Sequence, residues 1–329
     1  MFCAYCGENH DESVLFTKEH VVPYAIGGSN AFTIRVCDTS NNSLGGLVDK
    51  PFIETFIVRS QRFFLGLSGT DGTEPTLDLS GKTQINGKEK DVTYLIRTDN
   101  SKQLKIASPS VTKTPTADGE QWYVSGDPAS VRRIVEGKLK SLMAEGKQMK
   151  DADGNVLGPD NLEAFVAASD VKTLNPSILK RLHFDWLEFV RFFAKLAIAT
   201  GHYVSGESFS RSAWAEILRK AMHAKDPAEA SIPGAHIWPY AQAAEKVLAP
   251  FRKDNSHVLG VLNTEPPVFV ASLFGSFDAT IALGEPERAN VSSASCSGRV
   301  FHITLPSREF HDQTLEKWLS TLVTQRRTE

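Results

Sequence analysis

The chain of 329 residues lacks long apolar runs. None approaches the ~18 consecutive residues that a bilayer-spanning helix needs, so no membrane segment is expected. Its start, MFCAYCGENH, lacks a basic stretch followed by an apolar one, which argues against a secretory signal. The expected location is therefore cytoplasmic, where thiols stay reduced. A surplus of either charge is missing too. The net charge is −3, so the protein as a whole does not attract polyanions, and any nucleic-acid contact has to come from local patches. Internal repeats and low-complexity tails are absent. Cysteine is scarce: Cys3, Cys6, Cys37 and Cys296 are the four in the chain. Three of them fall near the start, and in a reducing compartment that clustering points to metal rather than to disulfides.

What is present is the composition of a soluble globular protein, 41% hydrophobic and 23% charged. The length favours two domains. Residues 1–66 read as one small unit. Cys3-Ala4-Tyr5-Cys6-Gly7 forms a knuckle. Ser13–Thr17 is a short strand candidate, continued or restarted by Glu19–Val22 and broken by Pro23 and Gly27-Gly28. Ala31–Cys37 alternates as a second strand, and helical structure is expected from Asn41 to about Leu65, broken near Pro51. Residues 67–329 read as a larger α+β domain. It is β-rich over 67–126, with Asn86-Gly87 as a hairpin turn, and mixed over 127–329. An amphipathic helix is expected over Asp127–Lys147, a buried one over Phe184–Thr200 and another over Ser212–His223. Strands follow over Val258–Leu283 and Arg299–Leu305, with a closing helix over Leu315–Thr324. The fold class is α+β.

Cys3, Cys6 and Cys37 supply three thiolates. A four-coordinate structural Zn²⁺ would take a fourth from a cysteine at position 40, where this chain has Ser40. His10, Asp38 or the distant Cys296 are other candidates, and small core residues are the plain alternative for all the cysteines.

Taken together, C-x-x-C-G, E-H-V-V-P-x-x-x-G-G and V-C-x-x-S-N-N-x-x-G-x-x-x-D resemble the HNH endonuclease family. The closest likeness is to its branch with a zinc-stapled ββα-metal core. The matched positions are Cys3, Cys6, Glu19, His20, Pro23, Gly27, Gly28, Cys37, Asn41, Asn42, Gly45 and Asp49, within about residues 1–60. The resemblance implies a hairpin carrying the histidine, a helix carrying the asparagine and one divalent ion between them. It assigns His20 as general base, with Asn41 and Glu19 as ligands of a catalytic Mg²⁺ or Mn²⁺. That chemistry suits phosphodiester hydrolysis. A neutral imidazole can take a proton from water, and a hard cation with oxygen ligands offsets the charge of the leaving oxygen. Successive strand residues point to opposite faces, so Glu19 and His20 share a site only where the strand bulges or ends.

Two departures from the family pattern stand out. Phe32 and Thr33 fill the region where the family places its middle asparagine, with Asn30 the nearest one, and Asn41 or Asn42 replaces the family's last histidine. Taken singly, His20 suits a strand-end histidine, Asn41 a helix N-cap and Asp49 a salt-bridge partner.

DNA is the expected partner, with RNA left open. Residues 1–66 hold five Lys and Arg against seven Asp and Glu, so the grip on phosphates has to come from elsewhere. The candidates are Arg59 and Arg62, and Arg132, Arg133, Lys138 and Lys140 on the helix expected over Asp127–Lys147. The plainer reading of that helix is a solvated face. Three functions compete: a metal-dependent endonuclease, in an architecture seen in bacterial defence and mobile elements; a non-catalytic zinc-stapled nucleic-acid-binding module; and an assembly protein. The C-terminal part is open to a homo-oligomer contact or an activating partner.

Overall fold

The computed structural model describes residues 1–85, 88–99, 101–106, 109–116, 119–126, 128–151, 154–164, 184–284 and 297–326. The Asn86-Gly87 turn and Cys296 lie outside these residues. The chain separates into two compact units. One joins residues 1–75 to 183–329, and the other is the intervening Thr76–Leu182. This differs from a boundary after residue 66. The N-terminal segment shares a single core with the C-terminal part, in which Tyr5, Val22, Phe32, Val36, Leu44 and Phe52 pack with Phe189, Phe192, Leu259, Phe301 and Ile303.

In the first unit, β1 (Phe16–His20) and β2 (Thr33–Cys37) pair antiparallel, from Phe16 opposite Cys37 to His20 opposite Thr33. Helix α1 (Asp38–Leu44) follows β2 without a loop. Gly45–Asp49 continue it as a π turn into α2 (Lys50–Glu54), and α3 (Phe56–Phe64) comes next. Because α1 begins at Asp38, the residue in the N-cap position is Cys37 and Asn41 sits inside the helix.

The second unit begins with β3 (Leu77–Ile85), β4 (Lys88–Ile96) and β5 (Lys102–Ile106) in one antiparallel sheet, and β6 (Ser110–Thr116) with β7 (Gly119–Ser125) in a hairpin. Helix α4 (Pro128–Ala144) buries Val135 and Leu139, one turn apart, as amphipathic spacing requires. A short pair, β8 (Met149–Lys150) and β9 (Val156–Leu157), follows.

The chain then returns to the first unit with α5 (Trp186–Ser205), α6 (Glu207–Ser210) and α7 (Ala213–His223). Asp185 caps α5 by accepting the Leu187 N–H, and Ser212 caps α7 by accepting the Ala215 N–H. Next come β10 (His236–Ile237) and α8 (Glu245–Leu248). The strands β11 (Ser256–Leu262), β12 (Val268–Leu273), β13 (Phe277–Ala282), β14 (Gly298–Thr304) and β15 (Glu309–Thr314) follow. They form an antiparallel sheet ordered β10-β13-β12-β11-β14-β15, closed by α9 (Leu315–Arg326). The sequence pattern does not single out β15, because its residues are largely exposed and polar, as on an edge strand. Among the described residues, no helix is long and apolar enough to cross a membrane.

Candidate active site and metal knuckle

The knuckle is built by local backbone geometry. The Gly7 N–H donates to the Cys3 carbonyl at 3.0 Å, and the Cys3 N–H donates to the Glu8 carbonyl at 3.0 Å. Gly7 turns the chain with φ +78°, and a Cβ there would lie 2.9 Å from Arg219 Nε. The β1–β2 register returns Cys37 to the knuckle, and the sulfurs of Cys3, Cys6 and Cys37 all lie within 4.8 Å of one another. His10 places Nε2 3.2 Å from Cys6 Sγ, and Ser40 Oγ lies 3.1 Å from Cys37 Sγ.

This donor set fits zinc. Burial works against a Cys3 thiolate, but backbone N–H groups of Cys6, Cys37 and Tyr5 outweigh it and lower the pKa. Burial, together with the neighbouring Cys3 and Cys37, pushes Cys6 up to about 11. Zn²⁺ takes cysteine as the thiolate and so favours loss of these protons. Cys3, Cys6 and Cys37 would hold it, with the fourth place beside His10 or Ser40.

At the other end of the hairpin, His20 Nε2 lies 2.9 Å from Asn30 Oδ1. The amide oxygen accepts, so the ring nitrogen that donates to it is Nε2. The Tyr24 ring flanks His20 at 5.5 Å between centroids. Asn30 therefore stands where a middle asparagine is needed. Sequence register hides it because the turn Tyr24–Ile26 and Gly27-Gly28 folds back. A Cβ on Gly28 would fall 1.7 Å from the Val22 carbonyl oxygen. Phe32 serves packing instead, stacked with Phe301 at 4.8 Å and Phe310 at 5.0 Å.

Three residues beyond this segment hold the turn. Arg62 Nε donates to the Ala25 carbonyl at 2.7 Å, His257 Nε2 donates to the Ile26 carbonyl at 2.7 Å, and the Arg308 guanidinium lies 3.5 Å from the Tyr24 ring centre.

Glu19 faces the other way. The β1–β2 ladder runs without a bulge through His20, so the pleat alternates the two side chains. Glu19 Oε1 lies 2.5 Å from Lys195 Nζ, and Asp49 Oδ2 lies 2.5 Å from the same ammonium. Burial opposes the charge of Lys195, but Asp49 and Glu19 outweigh it and raise its pKa. Burial pushes Asp49 up to about 6, with Lys195 pulling it down and Glu19 pushing it up. Asn41 lies on this inner face too. Its amide nitrogen donates to Thr17 Oγ1 at 2.9 Å, which directs the amide oxygen away from that hydroxyl. Lys195 escaped the sequence reading. The available signal was one lysine in the otherwise apolar stretch FFAKLAIA, where a buried ammonium demands an acid partner.

Residues 3–57 match the HNH endonuclease family. The match falls on the knuckle, the hairpin and the helix just described, so the N-terminal segment is similar to an HNH unit and carries a cysteine cluster that could hold zinc. No curated protein and no solved structure matches the chain.

The cations singled out from sequence fall in both units. On α3, Arg59 pairs with Glu54 at 3.8 Å, and Arg62 is engaged by the turn. On α4, Arg132 pairs with Glu136 at 2.9 Å and Glu163 at 2.7 Å, and Lys138 stacks on Trp122 at 4.6 Å. Arg133 and Lys140 are exposed. The register adds Lys18 and Arg35, cross-strand partners on the His20 face of the HNH hairpin.

Proposed function

We propose that the protein is an endonuclease that hydrolyses phosphodiester bonds in DNA, with His20 as the general base. The observation that carries this reading is the His20–Asn30 hydrogen bond. It fixes the ring and its tautomer, leaving Nδ1 to take a proton from the attacking water. Lys18 and Arg35, on the same face of the hairpin, suit phosphate contacts, and in the second unit the exposed Arg133 and Lys140 suit them too.

When bound, a divalent ion of the Mg²⁺ or Mn²⁺ kind supplies charge neutralisation at the leaving oxygen. Asn41 would hold it through its amide oxygen. Glu19, the second ligand that the resemblance implies, already gives one carboxylate oxygen to Lys195. A role in bacterial defence or mobile-element biology fits a small nuclease unit joined to a larger part, by analogy of architecture.

The test is cleavage of supercoiled DNA, and of RNA, with Mg²⁺ or Mn²⁺. Wild type should nick the plasmid, and His20→Ala should lose ~10²–10⁴-fold in rate. Asn30→Ala should lose less and shift the pH–rate profile, because the ring loses its fixed orientation. Equal cleavage by wild type and His20→Ala would refute the assignment.

One observation favours a second reading, a non-catalytic zinc-stapled nucleic-acid-binding module: the hold of Lys195 on Glu19. Its signature is salt-dependent DNA binding without cleavage under either metal.

A further inference from the structure

Lys195 lies at the middle of α5 with 1% of its side chain exposed, among Phe192, Phe193, Ala194, Leu196, Ala197 and Ile198, all fully buried. Its ammonium is 2.5 Å from one oxygen of Glu19 on β1 and 2.5 Å from one oxygen of Asp49 at the end of the π turn. The Tyr5 ring centre lies 5.6 Å away, closing the site from the knuckle side. The π turn matters here. It inserts an extra residue per turn between α1 and α2, which re-aims the residues after it, a device often found at functional positions. Asp49 is the last residue of that turn and joins Glu19 on one cation. With every neighbouring side chain on α5 packed into the core, the lysine has no route to solvent.

A divalent ion bound to Glu19 would sit ~2.1 Å from a carboxylate oxygen. With the ammonium 2.5 Å from one oxygen of the same carboxylate, the two cations would be about 4–6 Å apart. Repulsion between charges of +2 and +1 at that separation amounts to about tenfold in affinity or more even at the dielectric of bulk water. Glu19 therefore fits a divalent ion poorly while Lys195 is in place.

We propose that Lys195 is the resident cation of the HNH unit's inner carboxylate site, a fixed ammonium that fills the Glu19–Asp49 pair and keeps it from recruiting a divalent ion. Lys195 then acts as a positioning residue, tying β1 and the π turn to α5. Glu19 supports the hairpin rather than the catalytic ion. This rests on the nuclease reading only for the meaning of the site; the occupancy itself is independent of cleavage.

The experiment is Mn²⁺ titration of the full-length zinc-loaded protein, read by electron paramagnetic resonance. Wild type and Glu19→Gln should give superimposable titrations. Lys195→Met should gain a Mn²⁺ site at least about tenfold tighter than anything in wild type, and Lys195→Met/Glu19→Gln should lose it. A wild-type Mn²⁺ site that weakens tenfold or more in Glu19→Gln overturns the proposal, as does a folded Lys195→Met protein with an unchanged titration. Should Lys195→Met fail to fold, the comparison of wild type with Glu19→Gln still decides. Loss of DNA cleavage in His20→Ala reports on the nuclease reading alone, so the two can fail separately.

Discussion

His257 is a fully buried histidine on β11 that joins the C-terminal sheet to the HNH turn. Its Nε2–H donates to the Ile26 carbonyl at 2.7 Å, and its Nδ1 accepts the Phe274 N–H at 3.3 Å. Both nitrogens are thus committed in the neutral ring, and a proton on Nδ1 would break the second bond. Burial lowers the pKa from the ordinary 6.5 to about 4, with the Ile26 carbonyl working against the shift. The folded value lies below the unfolded one. The contribution to stability is therefore full above pH ~6.5 and is lost as pH falls through about 4. Linkage with these two values gives a loss of about 2 kcal/mol between pH 7 and pH 5. Asp49, raised by burial to about 6, acts in the opposite sense. Its contribution is present below its ordinary value of 3.8 and lost as pH rises through about 6. His302, lowered by burial to about 4, acts in the same sense as His257. Comparison with His257→Gln, whose amide can serve both partners without titrating, cancels these other groups. Urea unfolding followed by tryptophan fluorescence is a suitable assay, because Trp186, Trp214, Trp238 and Trp318 all lie in the first unit. Wild type should lose about 2 kcal/mol more than His257→Gln from pH 7 to pH 5. Parallel pH dependences would refute the argument.

The purified protein should carry about one equivalent of zinc. His10→Ala should weaken zinc binding ~10-fold or more, and Ser40→Cys should strengthen it; competition with a chromogenic chelator reads both, and a zinc-free protein or an unaffected His10→Ala would count against the knuckle. Gly28→Ala should destabilise the first unit by about 2 kcal/mol or more, because the new methyl group collides with the Val22 carbonyl. Thermal unfolding should show a loss of several degrees, and an unchanged Tm would mean that the turn does not need its glycine.

The residues that carry the motif could be read in order from the sequence because they follow one another along the chain. Cys3, Cys6, His20 and Cys37 needed only local geometry and a two-stranded register to take their places. The helices over Trp186–Ser205 and Ala213–His223 were legible from apolar content and spacing. What was not legible depends on contacts between residues far apart in sequence. Lys195 meets Glu19 across 176 residues, and His257 meets Ile26 across 231. Asn30 was hidden for a different reason. Ten residues and a turn with a left-handed glycine separate it from His20, and a strand register carries no information across such a turn. The division of the chain was missed because Thr76–Leu182 interrupts a core that the N-terminal segment shares with residues after 183.

The pleat of β1 sorts the chemistry of this segment into two faces. Glu19 looks inward, where Lys195 balances it together with Asp49, while Asn41 is half-buried beside Thr17 and Lys18. His20, Lys18 and Arg35 share the outer face, with Asn30 holding the base. The proposed hydrolysis needs access, a proton acceptor and positive charge, which His20, Lys18 and Arg35 would supply on the outer face. A buried carboxylate already paired with an ammonium gains little by exchanging it for a metal, since the new ion must also shed its water. Glu19 and His20, adjacent in the sequence, lie on opposite faces of β1. Glu19 fastens the hairpin to the core through Lys195, and His20, on the opposite face, is the residue proposed to meet the substrate.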